Sequence, residues 1–155
     1  MLRKVLFPTD LSETSFKALE VFGEINEMTI EDAIILHVVE RNNIDLLVEG
    51  YSLVYEPLSE DIEDLRRKLV ERRKKILEEN AEKFRKMLNA RKIKIIVRVG
   101  IPYKEIVKVA DEEDVNLIIL SAHGKLGFSD EIMGSTTLRV IRKTSKPVLI
   151  IKTKL

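Results

Sequence analysis

A glycine-rich stretch, SAHGKLGFSDEIMGS, follows a run of aliphatic residues and leads into a segment patterned as a helix. Its glycines, Gly124, Gly127 and Gly134, let backbone N–H groups approach an anion with no side chain between them. Gly134 and Ser135 open the helix, where unpaired N–H groups and the positive end of the helix dipole favour negative charge. The hydroxyls of Ser135 and Thr136 add further donors. The stretch therefore predicts a phosphate-binding loop rather than a plain surface turn.

Several other patterns that carry chemistry are missing from the sequence. The chain has no cysteine, which excludes thiol nucleophiles, thiolate metal sites and disulfides. It has no G-x-x-x-x-G-K-[ST] loop, no G-x-G-x-x-G after the first strand and no G-x-S-x-G elbow. No pair of titratable residues stands out as a general acid and a general base. We therefore expect a ligand-binding protein rather than a dedicated catalyst.

The two histidines of the chain, His37 and His123, lie far apart in the sequence and do not suggest an intrinsic metal site. His37 lies within an apolar run, so we expect it to be packed and hydrogen-bonded rather than to bind a ligand. His123 precedes the first of the glycines and is the better candidate for lining a site. Lys125 is equally compatible with a surface position and with a phosphate contact.

The elements that must position these residues alternate along the chain. Apolar runs predict strands at residues 4–7, 33–39, 92–99, 115–120 and 147–151. Apolar residues at steps of three and four predict helices at residues 12–25, about 59–90, 102–113 and 135–144. Ser12 is the expected N-cap of the first helix, and Leu138 and Ile141 are expected to face inward in the last. Residues 41–58 have no clean period and are expected to form a longer connection.

Five strands alternating with four helices predict an α/β fold: a doubly wound parallel five-stranded sheet of order 3-2-1-4-5, with helices on both faces. In such sheets ligands bind at the carboxyl ends of the strands where the winding reverses, which here are strands one and four. Pro8, Thr9 and Asp10 end the first strand, and the glycine-rich stretch follows the fourth. These two segments are therefore expected to meet at one crevice, although Asp10 could instead help to cap the first helix.

Composition and charge restrict the class of protein. With 155 residues, 45% hydrophobic and 34% charged, the chain is expected to be one soluble globular domain, residues 1–155. Its 27 basic and 26 acidic residues lack the basic excess of a nucleic-acid binder. No apolar run approaches the roughly 20 residues that span a bilayer, and the N-terminus lacks the pattern of a secretory signal. A cytoplasmic protein is the expectation.

The sequence resembles the universal stress protein family, specifically its ATP-binding branch. The resemblance rests on VLFPTDLSE, ILHVVE, GIPYKEIVKVADEEDVNLIILSAHGK and MGSTTLRVIRKTSKPVLIIK, which together leave only the region around residues 41–80 without a distinctive match. That branch carries a glycine, two spacer residues, a second glycine, nine spacer residues and then Gly-Ser or Gly-Thr. Gly124 and the pair Gly134-Ser135 match this pattern, and Ser121 stands at the first glycine position. A serine is compatible with that position if its φ is negative.

The resemblance implies a Rossmann-like fold of the adenine nucleotide alpha hydrolase type that binds ATP together with Mg²⁺. It implies that Asp10 lies near the ribose or the metal and that the backbone of Val38 meets the adenine edge. The site residues carried over from the family are Pro8, Thr9, Asp10, Val38, Leu120, Ser121, His123, Gly124, Lys125, Gly134, Ser135 and Thr136.

The resemblance also implies a homodimer, joined through the last strand from Pro147 to Ile151, that acts as a stress-linked regulator or switch. Pairing with a second copy would cover an otherwise exposed apolar edge, although the C-terminal KTKL could cover it instead. Two alternatives stay open: a nucleotide-free dimeric domain that works as a protein-interaction module, and a slow Mg-dependent ATPase. The glycine-rich stretch could likewise be a loop that binds nothing before a Ser-capped helix.

Overall fold

Five strands and five helices make up the part of the chain that the computed structural model describes, residues 1–41, 59–122 and 134–153. The strands are β1 (Leu2–Thr9), β2 (Ile30–Glu40), β3 (Ala90–Gly100), β4 (Leu117–Ala122) and β5 (Val148–Lys152). The helices are α1 (Glu13–Ile25), α2 (Ser59–Glu79), α3 (Ala81–Met87), α4 (Pro102–Glu112) and α5 (Ser135–Lys143). The connection expected at residues 41–58 lies, apart from Arg41, outside the described residues.

The five strands form one parallel sheet of order β3-β2-β1-β4-β5, which confirms the predicted fold class and strand order. β1 lies in the middle, paired with β2 on one side and with β4 on the other. The chain therefore winds outward from β1 in one direction and then returns to wind in the other. The carboxyl ends of β1 and β4 lie side by side, as a ligand crevice in this fold requires.

The sheet is covered by helices on both faces, and a hydrophobic core fills each side. One core joins α1, α2 and α3 to the sheet through residues such as Leu19, Phe22, Leu77, Phe84 and Leu88. The other joins α4 and α5 to the opposite face through Ile106, Val109, Ala110 and Val140. Strands covered on both faces carry nearly continuous apolar sequence, which explains why the runs in β1, β2 and β4 were readable as buried strands.

The helix predicted as continuous from about residue 59 to residue 90 is in fact two helices that meet at Asn80. The Asn80 side chain donates to the Ile76 carbonyl at 2.8 Å, and its backbone N–H turns to the Leu77 carbonyl at 3.1 Å. Asparagine commonly ends a helix in this way because its amide competes with the backbone hydrogen bonds. The break lets Phe84 pack under the sheet, and β3 begins at Ala90, inside the stretch assigned to the helix.

The prediction that Leu138 and Ile141 face inward is wrong for the single chain. Each of these side chains is 38% exposed, whereas Thr137 and Val140, one position earlier in each case, are buried. Residues three apart share one helical face, so the two pairs form adjacent stripes that sequence periodicity alone does not distinguish well. In the buried stripe, Val140 packs into the hydrophobic core and the Thr137 hydroxyl donates to the Ser121 carbonyl at 3.4 Å.

Candidate functional site

A pocket lies at the carboxyl edge of the sheet, between the ends of β1 and β4 and the first turns of α4 and α5. Nine of the twelve residues predicted from the sequence line it: Pro8, Thr9, Asp10, Val38, Leu120, Ser121, Gly134, Ser135 and Thr136. The other three, His123, Gly124 and Lys125, lie outside the described residues. The structure thus brings the end of β1 and the start of α5 together, although they are far apart in the chain.

Further residues line the pocket that were not predicted from the sequence: Ser15, Leu36, Glu40, Pro102, Ile106 and Thr137. Two of these, Leu36 and Glu40, could have been found from Val38, because alternate residues of a strand share one face of the sheet. Ile106 belongs to α4 and reaches the pocket from above that face. No local sequence signal points to Pro102 or Ile106, since their position depends on how α4 crosses the sheet.

The turn between β1 and α1 is held by short-range hydrogen bonds. The Leu11 N–H donates to Thr9 Oγ1 at 3.1 Å, and the Ser12 N–H donates to Asp10 Oδ1 at 2.9 Å. Ser12 is the N-cap of α1, as predicted, because its hydroxyl accepts from the Ser15 N–H at 3.1 Å. Asp10 therefore supports the start of α1 and also lines the pocket, so the two roles considered for it are compatible.

The first turn of α5 presents backbone N–H groups that have no acceptor within the helix. Gly134 occupies the N-cap position, where it has no side chain to accept a hydrogen bond, and the first hydrogen bond of the helix runs from the Leu138 N–H to the Gly134 carbonyl. The N–H groups of Ser135, Thr136 and Thr137 precede that bond and are left without an intrahelical partner. A helix start of this kind favours an anion, through the N–H groups and the helix dipole together.

The opposite wall of the pocket is largely apolar. Leu36, Ile106 and Leu120 are buried, and Val38 packs against the same core. The two carboxylates among the described lining residues, Asp10 and Glu40, end β1 and β2 and are both exposed. The pocket therefore combines an apolar wall with a wall of hydroxyl and amide donors, which is the arrangement that binds a molecule with one flat apolar end and one anionic end.

Ser121 adopts a backbone conformation that any L-residue can take. Its φ is negative, because the non-glycine residues with positive φ in the described ranges are Leu11, Asn89 and Asp114. It continues β4, pairing with Ile151 of β5. The serine at the first glycine position of the family pattern is thus accommodated by the strand without strain.

His37 is buried on the face of β2 that points away from the pocket, with 5% of its surface exposed. Its Nδ1 lies 2.9 Å from the Thr9 carbonyl oxygen, so Nδ1 carries the hydrogen and donates it. Burial lowers the pKa of His37 below the ordinary 6.5, and the charge of Arg73 lowers it further. The hydrogen bond to Thr9 and the charge of Asp10 act in the opposite direction on this pKa. His37 is therefore the packed, hydrogen-bonded histidine that its position in an apolar run predicted.

This lowered pKa makes the stability of the protein depend on pH. Below about pH 6.5 the unfolded chain binds a proton at His37 that the folded chain resists, so the free energy of unfolding falls as the pH falls. We expect a steeper loss between pH 7 and pH 5 in the wild type than in His37→Asn, measured by urea unfolding. An equal loss of unfolding free energy in the two proteins would contradict the lowered pKa of His37.

No group of three or more His, Cys, Asp or Glu side chains in the described ranges is arranged to hold a metal ion. Likewise, no described helix combines the length and apolar character needed to cross a membrane.

Comparisons with known proteins agree with the fold and cover nearly the whole chain. The sequence model of the universal stress protein family matches residues 1–152. Universal stress protein MJ0577 of Methanocaldococcus jannaschii is 36% identical over 99% of this chain and 97% of its own, and its solved structure superposes with a TM-score of 0.76. The crystal structure of hypothetical protein PH0823 is 45% identical, covers 98% of this chain and 96% of its own, and has a TM-score of 0.82.

A more distant solved structure shares the same fold. It is a universal stress protein in complex with cAMP, 22% identical over 99% of this chain and 98% of its own, with a TM-score of 0.60. The parallel sheet of order 3-2-1-4-5, the match of the family model over residues 1–152 and the identity to MJ0577 lead to one conclusion. This chain belongs to the universal stress protein family.

Proposed function

We propose that this chain binds an adenine nucleotide, ATP in the first instance, in the pocket between β1, β4 and α5, and acts as a stress-linked regulator or switch in the cytoplasm rather than as a rapid catalyst. The observation that carries the proposal is the division of the pocket: an apolar wall from β2 and α4 faces the N-terminus of α5, whose N-cap, Gly134, has no side chain to accept its N–H groups. A nucleotide has a flat base at one end and negative phosphates at the other, so the pocket matches it in polarity.

The apolar wall suits the base. Leu36 and Val38 from β2 and Ile106 from α4 offer hydrocarbon surface to the two faces of a purine, which loses water on binding. Val38 lines this wall, and we expect its backbone to meet the polar edge of the base, as the family resemblance implies. Solved structures add support for the class of ligand, because the distant relative described above was solved with cAMP, an adenine nucleotide.

The donor wall suits the phosphates. Ser135 and Thr136 line the pocket at the start of α5, and the first turn of this helix contains no acidic residue that would oppose an anion at its N–H groups. Mg²⁺ usually binds through one or two carboxylates together with phosphate oxygens, and Asp10 is placed to supply one of them. When bound, the metal would neutralise part of the phosphate charge and leave the chain to orient the nucleotide.

A test of the proposal is to heat the purified protein, remove the precipitate and identify released small molecules by absorbance and mass. The same preparation, freed of ligand, is then titrated with Mg-ATP by calorimetry. Released ATP or ADP, or saturable binding, would support the nucleotide site. A clean protein that also fails to bind Mg-ATP would favour the nucleotide-free interaction module. Phosphate release well above that of Gly134→Ala would favour the slow ATPase.

Replacing Ser121 by glycine is expected to preserve or tighten nucleotide binding. The substitution restores the first glycine of the family pattern, and the Ser121 backbone keeps its carbonyl for the Thr137 hydroxyl. Only the serine side chain leaves the pocket. Calorimetric titration with Mg-ATP should give a dissociation constant equal to or below that of the wild type. A loss of tenfold or more would mean that the serine hydroxyl contacts the ligand.

We also propose that two copies pair through β5, which lies at one edge of the sheet. Leu149 is 37% exposed on the face that carries α1, and Leu138 and Ile141 are each 38% exposed on α5, which covers the other face. A second copy would cover these apolar side chains on both faces and supply the missing backbone partners of the edge. Sedimentation equilibrium that finds only monomers at the concentrations used for titration would contradict this pairing.

A further inference from the structure

A buried side chain outside the pocket holds the turn that shapes it. His37 lies on the face of β2 opposite to Leu36, Val38 and Glu40, so it cannot line the pocket itself. Its Nδ1 nevertheless donates to the carbonyl of Thr9, 28 positions earlier in the chain and one residue before Asp10, at 2.9 Å. Thr9 is itself buried, with 6% exposed, so water cannot readily replace this donor.

The turn that follows Thr9 needs support. Leu11 has a φ of 65°, in the left-handed region that a residue with a Cβ seldom adopts. Its N–H returns to Thr9 Oγ1, and the same oxygen lies 2.5 Å from Ser15 Oγ. The Thr9 side chain is therefore committed to the turn and to α1. The Thr9 carbonyl is held by His37, which lies on the same face of the sheet as the Thr9 side chain and α1.

The Thr9 carbonyl and the Asp10 N–H belong to one rigid peptide plane. Holding the carbonyl oxygen therefore sets the direction in which the chain leaves β1 and the place where the Asp10 side chain starts. We propose that His37 is a positioning residue for the nucleotide site: it fixes the Thr9–Asp10 peptide so that the left-handed turn at Leu11 is kept and Asp10 faces the pocket. This inference rests on the proposed function for its ligand, but the positioning itself concerns the ligand-free chain.

The test uses substitutions that separate the hydrogen bond from simple packing. His37→Asn can place an amide N–H where Nδ1 stands, whereas His37→Leu has similar bulk and no donor. His37→Gln is polar, but its amide lies at the position of Nε2, so it provides a second loss-of-donor variant should the leucine variant not fold. Ile35→Ala is the matched control, because Ile35 is buried on the same face of the same strand and pairs with Phe7 rather than with Thr9.

Two measurements apply to the ligand-free protein. Nitrogen-15 NMR of the imidazole in the wild type should find the hydrogen on Nδ1; a neutral ring with the hydrogen on Nε2 would overturn the proposal. Amide exchange at Leu11 and Ser12 should accelerate roughly tenfold in His37→Leu and His37→Gln, the effect of losing one buried hydrogen bond. His37→Asn and Ile35→Ala should stay near the wild-type exchange rates at these two amides. Equal acceleration in Ile35→Ala would reduce His37 to a packing residue.

The third measurement is the affinity for Mg-ATP, taken well below the unfolding temperature of each variant. The dissociation constant should rise about tenfold in His37→Leu and His37→Gln and stay within about threefold in His37→Asn. Wild-type affinity in the variants without a donor would overturn the positioning role. If the wild type itself binds no Mg-ATP, the proposed function fails, and the tautomer and the exchange rates still decide whether His37 holds the turn.

Discussion

Replacing Gly134 by valine is expected to weaken Mg-ATP binding by about a hundredfold or more while leaving the fold intact. Among the described residues, and apart from its chain neighbours, no atom lies within 4 Å of the position that a Cβ on Gly134 would occupy, and the backbone there, φ −51° and ψ 150°, is open to a β-branched residue. The valine side chain would therefore meet the ligand rather than the protein. Losing two charge-assisted hydrogen bonds to phosphate, at about 1.5–3 kcal/mol each, accounts for a change of this size.

Calorimetric titration with Mg-ATP measures the loss of affinity in Gly134→Val, and urea unfolding measures its stability. The free energy of unfolding should fall by no more than about 1 kcal/mol, since glycine is a better N-cap than valine but neither has a side chain that accepts from the helix. Gly134→Ala is the graded control, with an intermediate loss of affinity because it adds one methyl group. Wild-type affinity in Gly134→Val would remove the start of α5 from the site.

The second large effect is expected at a glycine that has nothing to do with the pocket. A Cβ on Gly23, in the last turn of α1, would overlap the backbone carbonyl oxygen of Met87 and would lie 3.2 Å from the Met87 Cγ. The obstacle is backbone at the end of α3, so it cannot move aside as a flexible side chain would. Gly23→Ala is therefore expected to lower the free energy of unfolding by about 2 kcal/mol.

Helix propensity alone predicts the opposite sign, because alanine is favoured over glycine within a helix by up to about 1 kcal/mol. Urea unfolding of Gly23→Ala and of Gly134→Ala compares the same substitution at two sites. The added methyl group meets backbone at Gly23 and open space at Gly134. The Gly134 variant should stay within about 1 kcal/mol of the wild type. A stability gain in Gly23→Ala would mean that α1 and α3 are not packed this closely.

The pocket was predictable from the sequence to the extent that topology places it. Apolar runs identify doubly covered strands, and right-handed crossovers with a reversal of winding bring the ends of β1 and β4 together whatever the side chains are. Thr9, Asp10 and Gly134 could therefore be assigned to one crevice from their place in the chain. The cap at Ser12 was predictable for a local reason, because its hydroxyl bonds to an amide only three residues away.

Other features escaped prediction because they depend on contacts between elements. The break at Asn80 separates two helices whose combined pattern looks continuous, and which stripe of α5 is buried depends on how the helix packs on the sheet, with Val140 in the core and Thr137 beside Ser121. Pro102 and Ile106 reach the pocket only because α4 crosses the sheet there. Periodicity reports that a helix has an apolar side but does not report which neighbour will cover it.

The sequence by itself determined the class of fold, the order of the strands and the edge of the sheet where a ligand can bind, since burial and the handedness of crossovers are carried by local pattern. Only the tertiary structure decided which side chains meet: Gly23 against Met87, and His37 behind the Thr9 carbonyl. These contacts join residues that are 64 and 28 positions apart. Whether such residues touch depends on how whole helices and strands pack, and the spacing of residue types within one element does not determine that packing.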